Sequence, residues 1–190
     1  MDLVIVGDCI KHDYVLAAAV LIKIYSKKRV AIITDEDRSY RYFDGEASGV
    51  DIITEGEECD AEIKIYDCHY SLPNVKDPVI YLATNYEKPA LESVEAVLSQ
   101  LVNVKPSGLI VIENDSSVTL KYVLNYLQLD IPVISYLEDS YRKTDWVYDG
   151  RINYKVSKDF VEAVITLLES TLGIPNKEAK RLWSYARKRG

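Results

Sequence analysis

The sequence predicts a doubly wound α/β domain with a mostly parallel sheet flanked by helices. Six short runs rich in Val and Ile recur along the chain without alternating apolar and polar residues, which is typical of strands buried on both faces. Segments with helical spacing lie between them, and strands that alternate with helices favour right-handed crossovers. The runs are residues 3–6, 30–33, 63–66, 79–83, 109–112 and 133–136.

Four segments carry apolar side chains on one helical stripe, as expected for helices that cover such a sheet. Gly173 follows the last of them and is a suitable C-cap. The weakly patterned stretch 38–56 predicts a hairpin or an excursion. The four helical segments are residues 14–25, 90–101, 118–129 and 159–172.

Length and composition limit the class of protein. A chain of 190 residues suits one domain, which we assign to residues 1–175, followed by a basic helix over 176–190. The net charge of −7 argues against a non-specific nucleic-acid binder. Three cysteines without metal-type spacing, and the lack of a signal peptide or membrane-length apolar run, predict a cytoplasmic protein with reduced thiols.

Ligands of doubly wound folds bind at the carboxyl ends of the strands, so the residues after each run are the candidates for a site. Two of these segments end in aspartates, Asp35 after the second run and Asp67 after the third, and Asn114 follows the fifth. A Thr-x-x-x-x-Pro sequence (84–89) follows the fourth run, and Ile-Pro-Val-Ile (131–134) contains the sixth.

In this order and spacing the segments resemble the ParA/MinD family of P-loop ATPases over nearly the whole chain. Residues 28–37 are similar to the family's second strand with its acidic end, and residues 63–68 to its Walker B strand. The resemblance implies a P-loop-like fold and a site for ATP and Mg²⁺. It also implies that Asp67 stands at the magnesium-linked aspartate and Asn114 at the base-contacting asparagine.

The segment at the phosphate-loop position, residues 7–14, departs from the family. A Walker A loop needs several glycines so that backbone N–H groups can wrap the phosphates, and here only Gly7 remains. Counting back from the second strand puts His12 at the position of the Walker lysine, with Lys11 one residue away. Asp8 and Asp13 would oppose a triphosphate by roughly 1–4 kcal/mol per close pair.

We therefore expect a pseudo-ATPase with no catalytic residue and no cofactor. The degenerate nucleotide site would consist of Gly7, Lys11, His12, Asp35, Asp67 and Asn114. The alternative is an atypical ATPase that binds ATP and Mg²⁺, in which Lys11 serves the phosphates, Asp67 the metal and Asp35 the attacking water. A third interpretation is an unrelated binding module whose likeness to the family is generic.

Two metal sites and a nucleophile are also conceivable. Asp35, Glu36, Asp37 and Asp67 could bind magnesium, although carboxylates at strand ends are commonly helix caps or solvated loop residues. Cys9 and His12 with Cys68 and His69 could form a zinc site or a Cys–His nucleophile, but they lack a second Cys-x-x-Cys. We favour buried cysteines, a surface histidine and no metal.

The C-terminal segment 176–190 predicts a basic amphipathic helix, with six basic residues and one acid. Its stripe of Ala179, Leu182, Trp183 and Ala186 either docks on the core, which we favour slightly, or contacts a partner, DNA or an anionic membrane. The contact residues would then be Lys180, Arg181, Leu182, Trp183 and Arg187.

The resemblance also implies how such a protein would act. Dimerisation is the output of the family, so a homodimer, or a heterodimer with an active relative, is expected by analogy. The predicted function is that of a non-catalytic regulatory or positioning protein that works through protein contacts, with peripheral membrane or DNA contact through the C-terminal helix.

Overall fold

The computed structural model describes residues 1–36, 39–54, 56–101 and 104–189. Within them, eight strands form one sheet. The strands are β1 (Asp2–Val6), β2 (Val30–Thr34), β3 (Glu46–Ala47), β4 (Val50–Thr54), β5 (Ile63–Cys68), β6 (Val79–Thr84), β7 (Gly108–Glu113) and β8 (Val133–Leu137).

The helices of the described residues follow most of these strands along the chain. They are α1 (His12–Ser26), a short 3₁₀ helix (Arg41–Phe43), α2 (Lys88–Gln100), α3 (Leu120–Leu127), α4 (Ser140–Asp149), α5 (Lys158–Leu172) and α6 (Asn176–Arg189).

The sheet has the order β3-β4-β2-β5-β1-β6-β7-β8, and every neighbouring pair is parallel except β3 and β4. The predicted α/β class with a mostly parallel sheet is confirmed, and β1 pairs with β5 at the centre of the sheet. Val6 lies opposite Cys68, and Thr34 lies opposite Asp67. The register therefore brings the carboxyl ends of β1, β2 and β5 to one edge.

Helices cover both faces of the sheet, which accounts for the continuous apolar runs. One core contains side chains of α1, α4, α5 and α6, and the other contains side chains of α2 and α3. Every residue of α1 from His12 to Ile22 is buried, because this helix lies between the sheet and the helices α5 and α6.

The apolar pattern leaves one segment with two possibilities and does not predict helix α4. Of the two possibilities for 38–56, the hairpin is present: β3 and β4 are antiparallel, and β4 extends the sheet beside β2. Helix α4 lacks an apolar stripe, since two of its three buried residues are Arg142 and Lys143 and only Trp146 is apolar. Its start is still marked, because the Asp139 side chain accepts a hydrogen bond from the Arg142 amide.

The C-terminal helix α6 docks on the core, as the favoured interpretation expects. Trp183 is 6% exposed, and its ring lies edge-on to Tyr154 at 5.2 Å and to Phe160 at 6.2 Å between centroids. Leu182 is half-buried, while Lys180, Arg181 and Arg187 are exposed. The interpretation that needs an exposed Trp183 does not fit this arrangement. In the part of the chain described, no helix is long and apolar enough to cross a bilayer.

We predict that Trp183→Ala lowers the free energy of unfolding by about 3–5 kcal/mol, because it removes a large aromatic side chain from the core. The matched control is Arg181→Ala, an exposed position of the same helix, with an expected change within about 0.5 kcal/mol. Urea unfolding followed by circular dichroism measures both. Equal effects of the two changes would contradict the docked arrangement.

Candidate functional site

A cleft of about 940 Å³ lies at the carboxyl ends of the central strands, where doubly wound folds bind their ligands. Its floor is the loop between β1 and α1, including Lys11 and His12. One wall comes from the segment around Tyr40, and another from α4 with Lys143 and Tyr148.

Gly7 opens the loop and is required there by space. Its φ is +152°, and a Cβ at this position would lie 1.8 Å from the carbonyl oxygen of Ala83 on β6. Its amide donates to the carbonyl of Cys68 on β5 at 3.0 Å. The loop is thus pressed against both neighbouring strands, a close approach that only glycine permits.

The next two amides of the loop are also bonded within the protein. The Asp8 amide donates to Ser93 Oγ on α2 at 3.2 Å, and the Cys9 amide donates to the Gly7 carbonyl at 2.9 Å. A phosphate loop directs amides of this kind at its ligand. Here the first three already have protein acceptors.

Lys11, rather than His12, reaches into the loop. Its side chain is 1% exposed, and Nζ lies 2.7 Å from Asp67 Oδ1. Nζ also donates to the carbonyls of Gly7 at 2.9 Å and Cys68 at 3.1 Å. Burial acts to lower the pKa of Lys11, but the Asp67 carboxylate outweighs it, so the pKa lies above its usual value. The ammonium is therefore charged inside the loop.

Asp67 is held by two side chains. Lys11 pairs with Oδ1, and the Tyr40 hydroxyl donates to Oδ2 at 2.6 Å. Burial and this carboxylate together raise the pKa of Tyr40 well above its usual value, which keeps it a donor. Burial also raises the pKa of the nearby Cys9 to about 11, so Cys9 is a thiol and not an activated nucleophile.

Asp35, directly after the end of β2, interacts with His69. It accepts from the His69 amide at 2.8 Å and lies 2.8 Å from His69 Nδ1, while Nε2 of the same ring is 3.2 Å from Glu36. Burial acts to raise the pKa of Asp35, but the hydrogen bonds from His69 outweigh it and lower the pKa. This group links the ends of β2 and β5 beside the cleft.

Asp13 does not face the loop, contrary to the expectation that it would oppose a triphosphate. It is fully buried on the other side of α1, where its carboxylate accepts from Arg142 Nε at 2.8 Å. The Arg142 guanidinium also lies 3.8 Å from the centre of the Phe160 ring. A helix turns by about 100° per residue, so Lys11 and Asp13, two positions apart at the start of α1, point in nearly opposite directions.

The remaining predicted residues are placed as follows. His12 lines the cleft and lies edge-on to Tyr40, apart from the Asp35–His69 group. Asn114 is half-buried after β7 and is not among the residues that line the cleft. Among the described residues, no three His, Cys, Asp or Glu side chains group as metal ligands, and Asp37 of the suggested magnesium cluster lies outside those residues.

Sequence reasoning did not identify three residues that shape the cleft. Tyr40 comes from a segment without a pattern, and nothing in its neighbours marks it as a partner of Asp67. Arg142 ends the segment 138–142 after β8, which the strand-end rule marks for inspection, and Lys143 is the next residue. Lys143 forms an ion pair with Glu138 at 2.6 Å, and this pair holds α4 beside the cleft.

The fold is similar to that of solved cell-division proteins. The MinD cell division protein of Aquifex aeolicus superposes with a TM-score of 0.58 and 11% identity, covering 92% of this chain and 99% of that one. The MinC:MinD complex of the same organism contains a chain that matches with a TM-score of 0.57 and 11% identity, covering 92% of this chain and 98% of that one. No family model and no curated protein sequence matches this chain.

The chain is therefore an α/β protein of P-loop-like architecture. In particular, it is structurally similar to MinD over 92% of its length, at low sequence identity. This agrees with the resemblance to the ParA/MinD family that the order of the sequence segments indicated.

We predict that Lys11→Met lowers the free energy of unfolding by about 3–5 kcal/mol, because it leaves the Asp67 carboxylate buried without its cation. Adding Asp67→Asn to this variant should restore most of the loss. Lys28→Met is the control, since Lys28 makes an exposed pair with Glu62 at 3.8 Å that should contribute at most about 1 kcal/mol. Equal losses in Lys11→Met and Lys28→Met would rule out a stabilising internal pair.

Proposed function

We propose that this protein is a non-hydrolysing relative of the ParA/MinD ATPases that acts as a regulatory or positioning component through protein contacts. The observation that carries the proposal is the ion pair between Lys11 and Asp67 inside the loop that would otherwise hold phosphate. The Lys11 ammonium is bound to the carboxylate of Asp67, the residue that the resemblance places at the magnesium-linked position.

ATP and Mg²⁺ do not fit the loop in this arrangement. A magnesium ion linked to Asp67 would compete with Lys11 at one carboxylate oxygen and with Tyr40 at the other. Phosphates would meet the Asp8 side chain and amides that already have acceptors. A ligand would have to replace several buried interactions together, and each buried polar group left unpaired costs roughly 1–3 kcal/mol.

The edge of the sheet around the cleft has the composition of a protein-contact surface. Large side chains are exposed on five of its segments, including Tyr141 and Tyr148, which lie about two turns apart on α4. Aromatic residues of this kind are enriched at interfaces. The others are Ile10 after β1, Tyr42 in the 3₁₀ helix, Tyr70 after β5 and Leu137 at the end of β8.

The nature of the partner is inferred by analogy. One similar structure is a complex of MinD with MinC. We infer that this chain likewise acts by binding another protein chain. The partner would be a second copy of this chain or an active relative, bound at the edge of the sheet that carries Tyr141. The C-terminal helix would contribute only its charged face, because Trp183 is buried, so any contact with an anionic membrane, DNA or acidic partner there is electrostatic.

We predict no saturable heat in a calorimetric titration with MgATP at micromolar concentrations, and no phosphate release above the buffer rate. The reason is the closed loop described above. Micromolar, magnesium-dependent affinity that Lys11→Ala abolishes would contradict the proposal and favour the atypical ATPase.

We also predict self-association by sedimentation velocity that does not require nucleotide. Tyr141→Ser should weaken it by about tenfold or more, as expected for loss of an aromatic hot spot. The matched control is Tyr122→Ser, an exposed tyrosine on α3. A chain that stays monomeric throughout the accessible concentration range would contradict the homodimer, and equal weakening by both changes would contradict its location.

A further inference from the structure

The cleft contains more negative than positive side chains. Five carboxylates line it, from Asp8, Glu36, Asp67, Glu87 and Glu138, against the three basic side chains of Lys11, Arg41 and Lys143. Lys11 is paired with Asp67 and Lys143 with Glu138. Within residues 1–36, 39–54, 56–101 and 104–189, no basic side chain forms an ion pair with Asp8 or Glu87, and the Asp8 carboxylate interacts with the neutral Tyr70 hydroxyl. These two carboxylates supply the excess of negative charge.

A buried polar group in the cleft also lacks a partner. His12 is 4% exposed, and among the described residues neither of its ring nitrogens has a partner in good hydrogen-bond geometry, although the Lys143 backbone is close enough to act to raise the pKa of the ring. Burial lowers the pKa of His12, so the ring is neutral and one nitrogen can accept a hydrogen bond. Buried polar side chains are nearly always paired in folded proteins, so an orphaned one that lines a cleft points to a ligand that donates N–H.

The rim of the cleft is aromatic and suits a cation. The Arg41 guanidinium lies 4.9 Å from the centre of the Tyr42 ring, which shows that a cation can lie on the face of a ring at this rim. Tyr148 lies on α4, which contacts the 3₁₀ helix of Tyr42, and it is 87% exposed and lines the same cleft. Carboxylates and an exposed tyrosine that line one cleft can provide both charge balance and a flat contact surface for a cationic group.

We propose that this cleft binds a guanidinium or ammonium group. Asp8 and Glu87 balance the charge, His12 accepts a hydrogen bond from the ligand, and the Tyr148 ring covers it. This inference rests on the proposed function, since a bound nucleotide would occupy the same cleft. The group can come from a small cationic molecule or from a basic side chain of a partner polypeptide.

The test is a chemical-shift titration of the ¹⁵N-labelled protein with three probes. N-acetylarginine methylamide represents the free group, a short Gly/Ser peptide with one central arginine represents the partner side chain, and N-acetylcitrulline methylamide is the neutral isostere. We expect saturable shifts at Asp8, His12, Glu87 and Tyr148 with the two cationic probes and none with the citrulline compound. Tighter binding of the peptide assigns the ligand to a polypeptide, and equal affinities assign it to a small molecule.

Two variants separate the site from a general charge effect. Asp8→Asn combined with Glu87→Gln should weaken binding of the arginine probe by about tenfold or more, since charge-assisted hydrogen bonds are roughly twice as strong as neutral ones. Glu58→Gln, an exposed acid outside the cleft, should leave the affinity unchanged.

Three results overturn the inference: no saturable shift with either cationic probe, equal binding of the citrulline compound, or equal weakening by the cleft and control variants. A parallel titration with MgATP keeps the two proposals distinct. Absence of both cation and nucleotide binding defeats only this inference, whereas tight nucleotide binding defeats the proposed function.

Discussion

The ion pair of Lys11 with Asp67 determines the chemistry of the whole site. It lies where three central strands end, and its ammonium bonds to two backbone carbonyls as well as to the carboxylate. Desolvating two charges is costly, and such a pair is tolerated only where further hydrogen bonds complete it. The Gly7 and Cys68 carbonyls and the Tyr40 hydroxyl supply those bonds. The loop is consequently shaped around an internal cation.

Neighbouring features are consistent with a loop that closes on itself. Gly7 is required in the loop because its contact with β6 leaves no room for a Cβ. The amides that follow it bond to Ser93 and to the loop itself. The fold is similar to that of MinD, but the loop between β1 and α1 contains an internal ion pair, so the similarity of fold does not by itself indicate an activity.

Much of the fold could be predicted from the sequence because burial on both faces of a parallel sheet leaves continuous apolar runs. The edge hairpin was one of two possibilities for its segment, and α4 was not predicted. Strand β4 has one fully buried residue, Val50, so it carries little apolar pattern. Helix α4 is attached through ion pairs of Arg142 and Lys143. A helix whose buried residues are charged has the same sequence pattern as a helix that faces solvent.

The candidate site was predicted in part. The strand-end rule located Lys11, Asp35, Asp67 and His69 because parallel strands end at one edge. It could not determine which way side chains on the first turn of α1 point. Lys11 and Asp13 are two residues apart, yet one faces the cleft and the other faces Arg142. That division depends on where the helix begins, which a residue count from β2 does not determine.

The most direct test of the closed loop is a crystal structure of the protein grown in millimolar MgATP. The account predicts Lys11 Nζ within hydrogen-bond distance of Asp67 and no phosphate density between Gly7 and His12. A triphosphate in that loop, with Lys11 turned away from Asp67 towards the phosphates, would contradict it.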